Sequence, residues 1–123
     1  MDKLKEIEFH HQEHQEWLSK LNFYQDEIKI FQNELLLVLY EHPENLSLIE
    51  HVEEYRRILL KKLERIDELR YGVFVHERLL SQGKGISEEE EQKHLATRDE
   101  VQEFEGKFNE MKQAFRGFVA HND

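Results

Sequence analysis

Histidine is the residue type whose number and spacing in this chain suggest chemistry. Eight of the 123 residues are histidines and none is a cysteine, so a transition-metal site here would use nitrogen and oxygen ligands. His10 and His14 are four residues apart, which places both rings on one face of a helix. His76 and His94 fall at inward-facing positions of two further predicted helices. These four side chains are therefore candidate ligands for zinc, iron or copper.

Acidic residues accompany the four histidines and extend the candidate site. Glu91 and Glu77 are candidate extra ligands, or acceptors that fix the tautomers of the rings, and Glu90 and Glu13 are near enough in sequence to do the same. A second interpretation needs no metal. The histidines would then form a hydrogen-bonded polar layer that fixes the register of the helices, as buried polar residues do in coiled coils.

The relative heights of the histidines follow from folding the chain at its turns. If the first turn is centred near residue 44, facing residues have numbers that add to about 88, and the midpoint of His10 and His14 faces His76. If the second turn is centred between residues 84 and 85, facing numbers add to about 169, and His76 faces the neighbour of His94. The sequence therefore predicts one layer that collects imidazoles from three helices.

Two clusters of helix-breaking residues define the elements that carry this layer. The first is His42-Pro43-Glu44-Asn45 and the second is Gly83-Lys84-Gly85. Capping-box patterns follow them, with Ser47 and Ser87 as the expected N-caps. We predict three long helices, at about residues 2–41, 46–82 and 87–120.

Apolar residues alternate at intervals of three and four along each predicted helix, which is the pattern of a helical bundle. Lys62 interrupts the pattern in the second helix, where Leu63 is expected to fill the layer instead. Gly72 falls near the level of Trp17, and we expect its missing side chain to make room for the indole. The fold class predicted for residues 1–123 is a single all-α domain, an elongated, antiparallel, coiled-coil-like three-helix bundle.

A second apolar row lies outside the seam that faces the core. It consists of Phe9, Phe23, Ile30 and Leu37 in the first helix, with Leu60 and Phe74 in the second. Exposed rows of this kind mark interfaces, and the commonest closed assembly is a twofold dimer. We therefore predict a homodimer or another protein partner, unless these residues belong to a wider core.

Composition excludes several classes of function. The net charge of −10 has the wrong sign for binding nucleic acid or anionic lipid. The longest apolar run, from Leu35 to Tyr40, is far shorter than a membrane span, and the charged opening of the chain does not resemble a secretory signal. These features predict a cytoplasmic protein. Glu91-Gln92-Lys93-His94 has the Glu-x-x-His spacing of di-iron bundles, which need it twice, and it occurs once here.

Two functions therefore remain open from the sequence. The first is a small acidic interaction or scaffold module that self-associates through its outer faces. The alternative is a transition-metal-binding protein that uses the histidine layer. The chain lacks a nucleophile–base pair, a glycine-rich phosphate loop and a paired-carboxylate motif, so the sequence favours a protein that is not an enzyme.

Overall fold

Three long helices make up the fold, as the sequence predicted. The computed structural model describes residues 3–83 and 85–122, with α1 at Lys3–Glu41, α2 at Leu46–Leu80 and α3 at Glu88–His121. The described residues contain no strand, and each helix packs against both others, which confirms the all-α three-helix bundle. The predicted start of the first helix at residue 2 and the Lys84 position of the second turn lie outside the described residues.

The helix ends show which capping predictions are correct. The N-cap of α2 is Asn45 and not Ser47, because the Asn45 side chain accepts a hydrogen bond of 3.1 Å from the backbone N–H of Leu48. Ser87 is the N-cap of α3, and its hydroxyl accepts a hydrogen bond from the backbone N–H of Glu90. The second turn contains Gly83 at a φ of 68°, a left-handed conformation that suits glycine at a helix end.

The core is an apolar seam between the helices, formed by residues at the predicted three-and-four spacing. Its buried apolar residues in α1 are Trp17, Leu21, Tyr24, Ile28, Phe31, Leu35 and Val38, and those in α3 are Val101, Phe104, Phe108, Met111 and Phe115. Lys62 is half-buried beside this seam with its ammonium 5.6 Å from the centre of the Phe104 ring, and Leu63 packs against the core. Among the described helices, none has a stretch apolar and long enough to cross a bilayer.

Polar pairs between the helices establish how they align. Glu13 binds Arg98, Lys20 binds Glu105 and Glu27 binds Lys112, and the two partners in every pair are 85 residues apart. A constant separation means that α1 and α3 run parallel, whereas α2 runs antiparallel to both. The start of α1, the end of α2 and the start of α3 therefore lie at the same end of the bundle. This is the end that carries the four histidines.

Gly72 does not have the role that its position suggested. A Cβ atom built on Gly72 meets no other atom within 4 Å, so the indole of Trp17 does not depend on the missing side chain. Trp17 packs instead with Val73 and Val101 in a small apolar cluster. This cluster lies between the histidines and the rest of the core.

Candidate metal centre

The four histidines of the predicted layer lie together in one cross-section of the bundle. The rings of His10 and His94 stack with centroids 3.7 Å apart, and the His14 centroid lies 5.1 Å from that of His94 and 6.0 Å from that of His76. His14 and His94 are fully buried at 0% exposure, while His76 is half-buried. The turn arithmetic applied to the sequence therefore gave the right height for all four side chains.

Three of the four histidines form a group of metal-ligating size. One ring nitrogen each from His14, His76 and His94 lies within 4.8 Å of the other two. Bond lengths of about 2.0–2.1 Å place the nitrogens of a tetrahedral zinc site roughly 3.3 Å apart, so nitrogens at the 4.8 Å limit of this group would have to move closer to hold an ion. His10 lies outside this group, with its Nε2 atom 2.9 Å from the carboxylate of Glu91.

Carboxylates fix the tautomers of the two buried rings. Glu77 Oε1 lies 2.7 Å from His14 Nδ1, and Glu13 Oε1 lies 2.8 Å from His94 Nε2, so each of these nitrogens donates its proton to a carboxylate. The other nitrogen of each ring then presents a bare lone pair. These nitrogens, His14 Nε2 and His94 Nδ1, are buried and have no hydrogen-bond partner among the described residues.

The local environment holds the three imidazoles neutral. Burial lowers the pKa of His14, His76 and His94 below the ordinary value of 6.5, and for His14 and His94 it outweighs the opposing effect of the bound carboxylate. A neutral imidazole is the form that binds a metal, because its lone pair is free. The rings are therefore in the metal-binding state at neutral pH.

The two carboxylates remain ionised for a different reason. Burial alone raises the pKa of Glu13, but hydrogen bonds from Arg98 and His94 lower it below its ordinary value. The pKa of Glu77 is lowered in the same way, against the effect of burial, by hydrogen bonds from His14 and His11. Carboxylates that accept the second N–H of a histidine are the usual support of a histidine-ligated metal, because they orient the ring and increase its basicity.

Sequence reasoning missed two side chains that support this centre. Arg98 donates hydrogen bonds of 2.9 and 2.5 Å to Glu13, and so holds the carboxylate that orients His94. His11 is exposed, and its Nδ1 lies 2.9 Å from Glu77. The Arg98 contact has a signal in the sequence, since charged residues of opposite sign recur at the 85-residue separation along α1 and α3.

The six residues of the predicted interface are all exposed, between 46% and 60%. They do not form one patch. Phe23 lies one turn before Glu27, which binds α3, so the α1 row borders the groove between α1 and α3. Phe74 lies one turn after Arg70, which binds Asn22 of α1, so the α2 pair borders the other groove of α1.

No protein-family model, no curated protein and no solved structure matches this chain.

Proposed function

We propose that this protein binds one divalent transition-metal ion, with zinc as the first candidate, through His14, His76 and His94. The observation that carries the proposal is the pair of buried lone pairs on His14 Nε2 and His94 Nδ1. Leaving a buried acceptor without a donor costs about 1–3 kcal/mol. A single ion bound by both of these nitrogens would remove this cost.

The charge around the three rings suits a divalent cation. Glu13, Glu77 and Glu91 each contact a histidine of the layer, and Arg98 compensates one of the three negative charges. With the imidazoles neutral, two negative charges remain, which a divalent ion balances. An all-imidazole set without thiolates suits zinc, copper and iron rather than calcium or magnesium, which prefer oxygen ligands.

The test is metal binding by protein that carries no histidine tag. Isothermal titration with zinc is expected to give one ion per chain, with protons released as the ion binds, and elemental analysis of the dialysed complex is expected to give the same ratio. The variant His76→Leu removes one ligand from the half-buried position and is expected to abolish stoichiometric binding. The variant His51→Leu is the matched control, because His51 is an exposed histidine of the same helix.

Circular dichroism of the two variants shows whether each keeps the helical fold. Folded His76→Leu protein that still binds zinc with the affinity of His51→Leu would contradict the proposal. So would wild-type protein that binds no zinc, copper or iron at one ion per chain. The four histidines would then be a polar layer that holds the helices in register.

Self-association is the second candidate function, and the exposed α1 row favours it. Phe9, Phe23, Ile30 and Leu37 follow a seven-residue interval, with Glu16 at the position between the first two. A seven-residue interval is the geometry with which one helix packs along another, so the partner that fits this row is α1 of a second copy. The row is about 42 Å long at 1.5 Å per residue. Analytical ultracentrifugation tests this candidate.

A further inference from the structure

We propose that the metal ion keeps one coordination position open, and that this position takes water or a small monovalent anion from solvent. The inference rests on the proposed metal site and concerns the fourth ligand of the ion. Structural zinc sites are closed by four protein ligands, whereas catalytic sites have three and leave the fourth position to water or substrate. The structure supplies three nitrogens in the group.

The other donors nearby are already engaged. Glu13, Glu77 and Glu91 each bind a histidine of the layer, and His10 is not part of the three-nitrogen group. Glu90 is the remaining carboxylate at this height, and its side chain has no ion pair or hydrogen bond among the described residues. Whether Glu90 reaches the ion is therefore the question that the experiment must answer.

A gap beside two of the three rings has the size that the inference requires. It has a volume of about 10 Å³ and is lined by His10, His14 and His76, by Leu79 and Leu80, and by Glu90 and Lys93 of α3, but not by His94. Room for one water molecule requires about this volume. Glu90 and the rings of His14 and His76 all line this gap, and its volume is that of about one water molecule.

The charges at the gap favour an anion or water. Lys93 lines the gap and supplies a cation there. Glu90 lines the same gap, and its carboxylate can accept a proton from a bound water molecule. A ligand bound in the gap thus lies between a cation and a proton acceptor.

Cobalt(II) is the probe for the open position, because it replaces zinc and its visible absorption depends on its ligands. Titration with Co²⁺ alone tests the metal site, and a visible band that saturates at one equivalent is expected. Azide added to this complex is then expected to change the band in a saturable manner. The absence of a cobalt band would contradict both proposals. A cobalt band that a large excess of azide leaves unchanged would overturn only the open position.

Variants at the gap separate the two possible sources of the fourth ligand. If Glu90 binds the ion, wild-type protein does not respond to azide, and Glu90→Ala does. If the position is open, wild-type protein and Glu90→Ala both respond. Lys93→Met is expected to weaken azide binding roughly threefold to fivefold, the effect of one partly screened charge, with the affinity for Co²⁺ little changed.

The matched control is Lys107→Met on the same helix. Lys93 and Lys107 are 60% and 63% exposed, and each is paired with a glutamate four residues earlier. Lys107 lies far from the histidines, so its replacement is expected to leave azide binding unchanged. Equal azide affinities for the two lysine variants would overturn the role of Lys93 in favouring an anion.

Discussion

Replacing His94 with leucine is expected to stabilise the metal-free protein and to remove its response to zinc. The change removes the hydrogen bond to Glu13, which costs about 1.5–3 kcal/mol. It also removes the unpaired Nδ1 atom, which returns about 1–3 kcal/mol, and it buries an apolar side chain, which returns about 1.5–3 kcal/mol. Loss of the ring contacts with His10 and Trp17 costs about 0.5–1.5 kcal/mol.

The sum is a gain of about 1 kcal/mol for the metal-free variant. Arg98 makes this outcome possible, because it continues to neutralise and bind Glu13 when His94 is gone. Zinc at about one hundred times its dissociation constant stabilises the wild-type protein by about 2.7 kcal/mol and is expected to leave the variant unchanged. The order of the two stabilities therefore reverses when zinc replaces a chelator.

Urea unfolding followed by circular dichroism measures both stabilities, once with EDTA and once with excess zinc. His51→Leu serves again as the control and is expected to follow the wild-type protein in both conditions. If His94→Leu is less stable than wild type by more than about 2 kcal/mol in EDTA, the unpaired Nδ1 atom of His94 carries no desolvation cost, and the reasoning for the metal site fails.

Two further predictions concern acid and assembly. Because the pKa values of His14, His76 and His94 are lowered in the folded state, the unfolded chain binds more protons below pH 6.5, and the metal-free protein is expected to lose stability as the pH falls through the folded pKa values. The free energy of unfolding then falls by at most about 4 kcal/mol per pH unit, the value for three protons. Glu13 and Glu77 add a further loss of stability only below pH 4.5. A free energy of unfolding in urea that stays constant between pH 6.5 and 4.5 would disprove this prediction. The wild-type protein is expected to sediment as a dimer at micromolar concentration and Ile30→Glu/Leu37→Glu as a folded monomer, whereas Leu60→Glu/Phe74→Glu, on the other groove, stays dimeric. Wild-type protein that is monomeric throughout this range would contradict the prediction.

The core positions of each helix could be predicted from the sequence, but the rotation of each helix about its own axis could not. The three-and-four spacing selects Leu21, Ile28 and Phe108 as core because helical period alone decides which side faces inward. The positions of the two turns give the height of each histidine along the bundle. They do not say which three rings meet, because that depends on the rotation of each helix and on side-chain torsions of His10 and His76.

The helix ends show another limit of sequence reasoning. Asn45 and Ser47 are both good N-cap residues, so propensity alone does not choose between them. The turn decides, because Pro43 follows His42 and the backbone N–H of Asn45 closes on the carbonyl oxygen of His42 at 3.3 Å. The helix then begins directly after Asn45. The surroundings of Gly72 could not be predicted either: a Cβ atom there would meet no other atom within 4 Å, so Gly72 does not make room for Trp17.

The pairs between α1 and α3 alternate in sign along the bundle, and this alternation has a consequence for how the helices align. In the observed register, Glu13 lies against Arg98, Lys20 against Glu105 and Glu27 against Lys112. A repeating apolar seam alone would tolerate a slip of α3 by seven residues. Such a slip brings Glu13 against Glu91 in one direction and against Glu105 in the other, and it sets Lys20 against Arg98 or Lys112. Either slip replaces attraction with repulsion along the groove, so the charges make the registers one heptad away unfavourable.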